Sequence, residues 1–238
     1  MFPIRDSTPS GSVPIVTMGL IAINVIIWFY EISLGRYADR FVMEYGLIPA
    51  RFVNYYGLEG GFLDNAVVPL FSSIFMHGGW MHVIGNMWFL WIFGDNVEDR
   101  LGHFRYLVFY LLSGIGASLV NVMFHPDSRI PTIGASGAIS GILGAYLVSF
   151  PHSRVYTLFI LFIFIRFIEV PAYVFLVVWF VFQFLAGTSE LASHATDSAG
   201  VAYWAHMGGF AIGVILIWLF PKRSKFRQLP SDDGSDWS

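Results

Sequence analysis

Residues 133–150 read IGASGAISGILGAYLVSF, and from Ser136 the chain runs without a charge until Arg154. The length and apolarity fit a membrane helix. Ser136 stands at its opening. A second such run, 202–220, reads AYWAHMGGFAIGVILIWLF and carries His206 near its start. An ionisable residue inside a bilayer is costly and marks function. A serine and a histidine at matched depth on two spans are the parts of a nucleophile and its general base.

Composition places the rest of the chain in lipid as well. Hydrophobic residues make up 56% of the 238 residues and charged residues only 12%, where soluble domains carry about 25% charged. Mean hydropathy is +0.65. The length accommodates about six spans of ~20 residues. A net charge of −3 gives no reason to expect nucleic acid as a partner, and the absence of cysteine excludes disulfides and thiolate metal sites.

Working outward gives an all-α polytopic membrane protein with six spans, placed at about 13–34, 70–93, 104–124, 133–150, 170–186 and 202–220. The first apolar stretch is too long for a signal peptide and is read as a retained span. Residues 1–12 form an N-terminal segment, 13–220 the six-span core, and 221–238 a polar, disordered tail. Residues 35–68 read as a long polar-aromatic loop, and 94–103 (GDNVEDRLGH) as a tight charged turn. Pro171 favours the first turn of a helix, so 155–167 becomes a membrane-hugging connector, with a longer tilted helix as the alternative. Arg166 and Glu169 read as a local ion pair at the interface.

An even number of spans puts both termini on one side. That side holds Arg5, Arg100, Arg105, Arg154, Arg166, Lys222, Arg223, Lys225 and Arg227; the other holds Arg36, Arg40, Arg51 and Arg129. The positive-inside rule makes the termini cytoplasmic. Spans two, four and six then run inward, and their outer ends carry His82 and Asn86, Ser136, and His206. Three spans place polar groups in one leaflet.

Helical phase agrees. Gly137, Gly141 and Gly144 form a small-residue stripe on span four; His206, Gly209 and Gly213 share a face on span six. Such stripes let membrane helices approach closely, although most serve packing alone. His82 and Asn86, four apart, share a face of span two and can donate hydrogen bonds to a developing oxyanion, or act as polar glue between helices.

These motifs resemble the rhomboid family of intramembrane serine proteases: Gly134, Ala135, Ser136 and Gly137; Ala205 to Gly209 with Gly213; and His77-Gly78-Gly79-Trp80 leading into His82 and Asn86. The likeness covers about 65–220. It implies a six-span bundle in which Ser136 is the nucleophile and His206 the general base. His82, Asn86 and the Ser136 amide would form the oxyanion hole. It implies no cofactor and no metal. The substrates would be single-span membrane proteins that enter laterally between spans two and five and are cut near the outer leaflet. Spans two, four and six as drawn contain no Asp or Glu, so a dyad is what the sequence allows. The residue four after the nucleophile, aromatic in many members, is Ser140, which leaves open what orients His206. The first loop, YGLIPARF at 45–52, looks like a common bacterial version, implying a bacterial plasma membrane.

Other chemistries fit poorly. There is no His-Glu-x-x-His for a helical zinc protease, and 134–138 is not a nucleophile elbow. His77 reads as structural support, and His103, His125, His152 and His194 as solvated or packing residues. The alternative class is a catalytically inactive relative that binds client transmembrane helices, or a small transporter. An inactive relative would normally lack Ser136 or His206, and a transporter would more often show a membrane-central charge.

Overall fold

A computed structural model describes residues 2–161, 164–192 and 202–222. Its helices are α1 (Ile15–Ser33), α2 (Ala38–Tyr45), α3 (Pro49–Val53), α4 (Val68–Ser72), α5 (Trp80–Leu101), α6 (His103–Phe124), α7 (Ser136–Ser149), α8 (Ala172–Ala192) and α9 (Tyr203–Leu219). Helices α1, α6 and α8 are long and apolar enough to cross a membrane by themselves; residues 63–75 join α5 through a 78° bend, and α7 and α9 are shorter apolar helices. The chain is thus a polytopic helical membrane bundle, as the sequence implied.

Helix α7 is the centre. Every residue from Gly137 to Tyr146 is buried, against α5, α6, α8 and α9. Its 14 residues span about 21 Å, short of a hydrocarbon core of ~30 Å.

The charged stretch 94–103 is not a turn. Helix α5 continues to Leu101, and only Gly102, at φ +79°, separates it from α6. Glu98 there is consumed by distant partners. The Glu98 carboxylate accepts from the Val16 and Thr17 N–H groups at 2.9 and 2.8 Å and from Thr17 Oγ1 at 2.7 Å. It thereby caps α1, which has no side-chain cap of its own, satisfying N–H groups that a helix start leaves unpaired. Span two therefore does carry acids (Asp95, Glu98 and Asp99), though two turns or more further along α5 than Asn86.

The N-terminal segment and the connector form a sheet. Strand β1 (Phe2–Asp6) pairs antiparallel with β2 (Arg154–Leu161), and β2 with β3 (Phe164–Pro171), in the order β1-β2-β3. Phe2 lies opposite Leu158 and Asp6 opposite Val155. The β-branched and aromatic run Val155-Tyr156-Thr157 suits a strand. Trp88 Nε1 donates to Pro3 O at 2.6 Å, Asn96 Nδ2 to Asp6 Oδ2 at 3.0 Å, and Tyr146 Oη to the same carboxylate, so β1 lies along α5. Burial pushes the Asp6 carboxyl above its ordinary range, against the hydrogen bond from Tyr146. In a strand, residues three apart face opposite ways, so Arg166 and Glu169 do not pair; Glu169 takes Arg154 at 3.3 Å instead.

The first loop holds structure too. It contains α2 and α3, and Leu47 exchanges backbone hydrogen bonds of 3.3 and 2.8 Å with Thr132, tying the loop to the approach of α7. Helix α8 reaches Ala192, beyond the expected end of span five. Residues 193–201 and the tail from 223 lie outside the described residues.

Candidate active site

The approach to α7 is shaped by Gly134. Its φ of +126° disfavours any side chain, and a Cβ there would meet His82 Nε2 at 2.6 Å and Asn86 Nδ2 at 3.6 Å. Its N–H is held by Ser73 O at 2.8 Å. Two residues later Ser136, half-buried, begins the helix. An N–H group in a first helical turn has no partner within the helix and sits at the positive end of its dipole. Ser140, one turn deeper, donates its hydroxyl to Ser136 O at 2.7 Å.

Helices α7 and α9 meet backbone to backbone. A Cβ on Gly209 would press on Gly137 O, one on Gly213 on Gly141 O, and one on Gly144 on Phe210 O, each closer than real Cβ atoms come. The expected small-residue stripes face each other across this seam. It carries Ser136 on one side and the buried His206, in the first turn of α9, on the other.

Each polar neighbour has a definite partner. His206 Nδ1 lies 2.8 Å from Gln183 Oε1 on α8. The Trp179 ring lies 6.1 Å from the imidazole at 31°. His82 Nδ1 accepts from the Gly78 N–H at 3.4 Å, which leaves the hydrogen on Nε2, facing Gly134. Asn86 Nδ2 is 3.0 Å from His77 Nε2, and the His77 N–H donates to the Glu31 carboxylate at 3.2 and 3.4 Å. His77 thus braces Asn86 and packs edge-on against His82 at 5.1 Å.

Ser136, His206, His82 and Asn86 line one cavity of ≈ 210 Å³, with Met81, Gly85 and Phe89 of α5, Ile139, Ser140 and Leu143 of α7, and Trp179 of α8. All four residues singled out from the sequence are brought together, in the N-terminal halves of α5, α7 and α9. A larger cavity of ≈ 340 Å³ between α1, α2 and α4 is almost wholly apolar and touches none of them. The shared cavity offers a hydroxyl, an imidazole and N–H donors around one space, which is the equipment of acyl transfer. Two residues escaped the sequence reading. Gln183 was detectable as the one amide in an otherwise apolar span, and Glu31 as an acid within the first.

Trp179 and Phe180 belong to α8. Both pack on Phe210 of α9, at 6.0 and 5.0 Å, while Trp179 also borders the cavity beside α5. The ring contact between α5 and α8 is lower, Phe93 on Phe175 at 6.2 Å.

Comparison with known proteins gives a family. Residues 64–223 match the family described as Rhomboid domain. The chain is 29% identical over 205 residues to Rhomboid-like protein 11, chloroplastic, of Arabidopsis thaliana, covering 84% of this chain and 66% of that protein. It is 30% identical over 210 residues to Rhomboid protein 1, mitochondrial, of Saccharomyces cerevisiae, covering 83% and 52%. Presenilin-associated rhomboid-like protein, mitochondrial, of Mus musculus is 29% identical over 155 residues, covering 61% and 36%. The chain therefore spans between about a third and two thirds of these relatives' lengths. Their names place them in mitochondria or chloroplasts, which lends no support to a bacterial plasma membrane; a multi-pass membrane location stands.

Proposed function

The chain belongs to the rhomboid family, and from that premise we propose that it is an intramembrane serine endopeptidase working by a Ser136–His206 dyad. Ser136 Oγ attacks the scissile carbonyl while His206 takes its proton. The charge that develops on the carbonyl oxygen is met by His82 Nε2–H, the free N–H of Asn86 and the Ser136 amide. His206 then hands the proton to the leaving amine, and a water hydrolyses the acyl-enzyme by the same route. The observation that carries this reading is the single cavity that Ser136, His206, His82 and Asn86 line together.

The substrates are single-span membrane proteins. A helical peptide bond is shielded by its own hydrogen bonds, so segments that unwind easily, with Gly or Pro, are favoured. The recess left by the short α7 sets the cut near the outer leaflet, with both termini of the enzyme on the inner, positively flanked side. Substrate arrives between α5 and α8, whose side chains form the lateral wall of the cavity. Helix α8 has 22% of its apolar window buried, against 44% for α6, which suits the looser wall.

The test is cleavage of a reporter single-span protein in detergent. Wild type should cut it, and Ser136→Ala should not while remaining folded. Capture of the reporter without cleavage by wild type would instead favour a client-binding, inactive relative.

A further inference from the structure

A neutral imidazole carries one proton on two nitrogens, and only the ring nitrogen left bare can take the proton of a serine. In the dyad reading, on which this inference rests, the choice cannot be left to chance. With Ser140 occupying the position four after the nucleophile, α7 supplies no ring to hold His206, and the Ser140 hydroxyl is already engaged with Ser136 O. The partner comes from another helix. Gln183 Oε1 lies 2.8 Å from His206 Nδ1. A carbonyl oxygen accepts and never donates, so Nδ1 holds the hydrogen and Nε2 keeps the lone pair.

We propose that Gln183 is the positioning residue of the general base, fixing the tautomer and ring plane of His206 from α8. The amide does at Nδ1 what a carboxylate does in a triad, orientation above all, without placing a charge at membrane depth. Trp179, one turn before Gln183, lies 6.1 Å from the same ring. One turn after it, Gly187 lets α8 settle on α9, where a Cβ would already touch Tyr203 Cβ at 3.2 Å and Trp204 Nε1 at 3.4 Å. These residues recur every fourth position and make one face of α8. The wall that borders substrate access therefore also holds the base. Any outward movement of α8 that widens the space beside α5 draws Oε1 away from Nδ1. The dyad is then complete only when α8 has closed again.

The test uses the full chain in detergent and compares wild type, Ser136→Ala, Gln183→Met and Gln183→Glu. Methionine keeps the length of glutamine but removes the strong acceptor; glutamate keeps an oxygen in place. For a single-span reporter, Gln183→Met should lower kcat about tenfold with KM held within about twofold and an unchanged melting temperature. Gln183→Glu should recover most of the loss. A Gln183→Met variant with wild-type kcat, or one that Gln183→Glu matches in loss of both rate and melting temperature, overturns the inference. Failure of wild type to cleave in a Ser136-dependent way strikes at the dyad itself. Nitrogen-15 spectra of the histidines separate the two questions. His206 protonated at Nδ1 in wild type, shifting to a mixture in Gln183→Met, supports the positioning role; a wild-type ring protonated at Nε2 overturns it whatever the activity.

Discussion

Replacing Gly213 by alanine should slow the proposed cleavage without touching a reacting atom. The new Cβ would fall on Gly141 O, with Gly141 C and Cα both at 2.6 Å. These are backbone atoms and cannot swing aside. Restoring ordinary contact near 3.5 Å forces the seam between α7 and α9 open by on the order of 1 Å. Overpacking of this kind costs about 1–3 kcal/mol, partly offset by the ~1 kcal/mol that alanine gains over glycine in a helix. The larger effect is on geometry. Gly213 is seven residues beyond His206, about 10 Å along α9, and a 1 Å misplacement of reacting groups can lose ~10²-fold in rate. A fall in kcat of ~10- to 100-fold is expected, read by reporter cleavage beside a thermal melt. The control is Gly19→Ala on α1, where nothing lies within 4 Å of the added methyl; it should hold kcat and raise stability by up to ~1 kcal/mol. If Gly213→Ala kept both full kcat and the wild-type melting temperature, the seam would not be what aligns Ser136 with His206.

Other outcomes follow from the same site. His82→Ala and Asn86→Ala should each lower kcat, by up to ~10²–10³ for a strong donor, and unchanged kcat in both singles and the double would leave them as helix glue. Cleavage should fall on acidification, because a protonated His206 cannot accept the Ser136 proton, and EDTA should have no effect; chelator inhibition reversed by zinc would sink the dyad. The native chain has no cysteine, so a disulfide engineered between the outer halves of α5 and α8 should reversibly suppress cleavage of membrane-embedded reporters, and full activity in the crosslinked form would exclude that route.

What the sequence made legible followed local rules. Apolar length gave the helices, and period gave the facing glycine stripes; the depth of polar residues gave a cavity lined by Ser136, His206, His82 and Asn86. What it concealed depended on partners far along the chain. The run Asp95 to Arg100 looks like a turn because charge next to an apolar span normally marks solvent. Yet Glu98 is fully buried, its carboxylate capping α1 some eighty residues upstream. Strands β2 and β3 lie in an apolar run without clear period, and their third partner is residues 2–6, about 150 residues away. Gln183 was overlooked because one amide in an apolar span has no local reason to exist. Its reason is the imidazole on α9.

That point generalises across the site as an accounting of polar atoms. In a bilayer an unpaired polar group costs several kcal/mol, so each one present calls for a partner or a use. The Gly78 N–H occupies His82 Nδ1, His77 Nε2 occupies one Asn86 hydrogen, and Gln183 occupies His206 Nδ1. Glu31 in turn holds the His77 N–H that steadies the second of these. After those pairs are made, the cavity is left with His82 Nε2–H, the second Asn86 hydrogen, the Ser136 amide and hydroxyl, and the His206 Nε2 lone pair. In the proposed mechanism three of these are the donors to the oxyanion, one is the nucleophile, and one is the base that activates it. The pairing seen here removes one valence from each ring or amide and leaves unpaired the valences that the proposed acyl transfer requires.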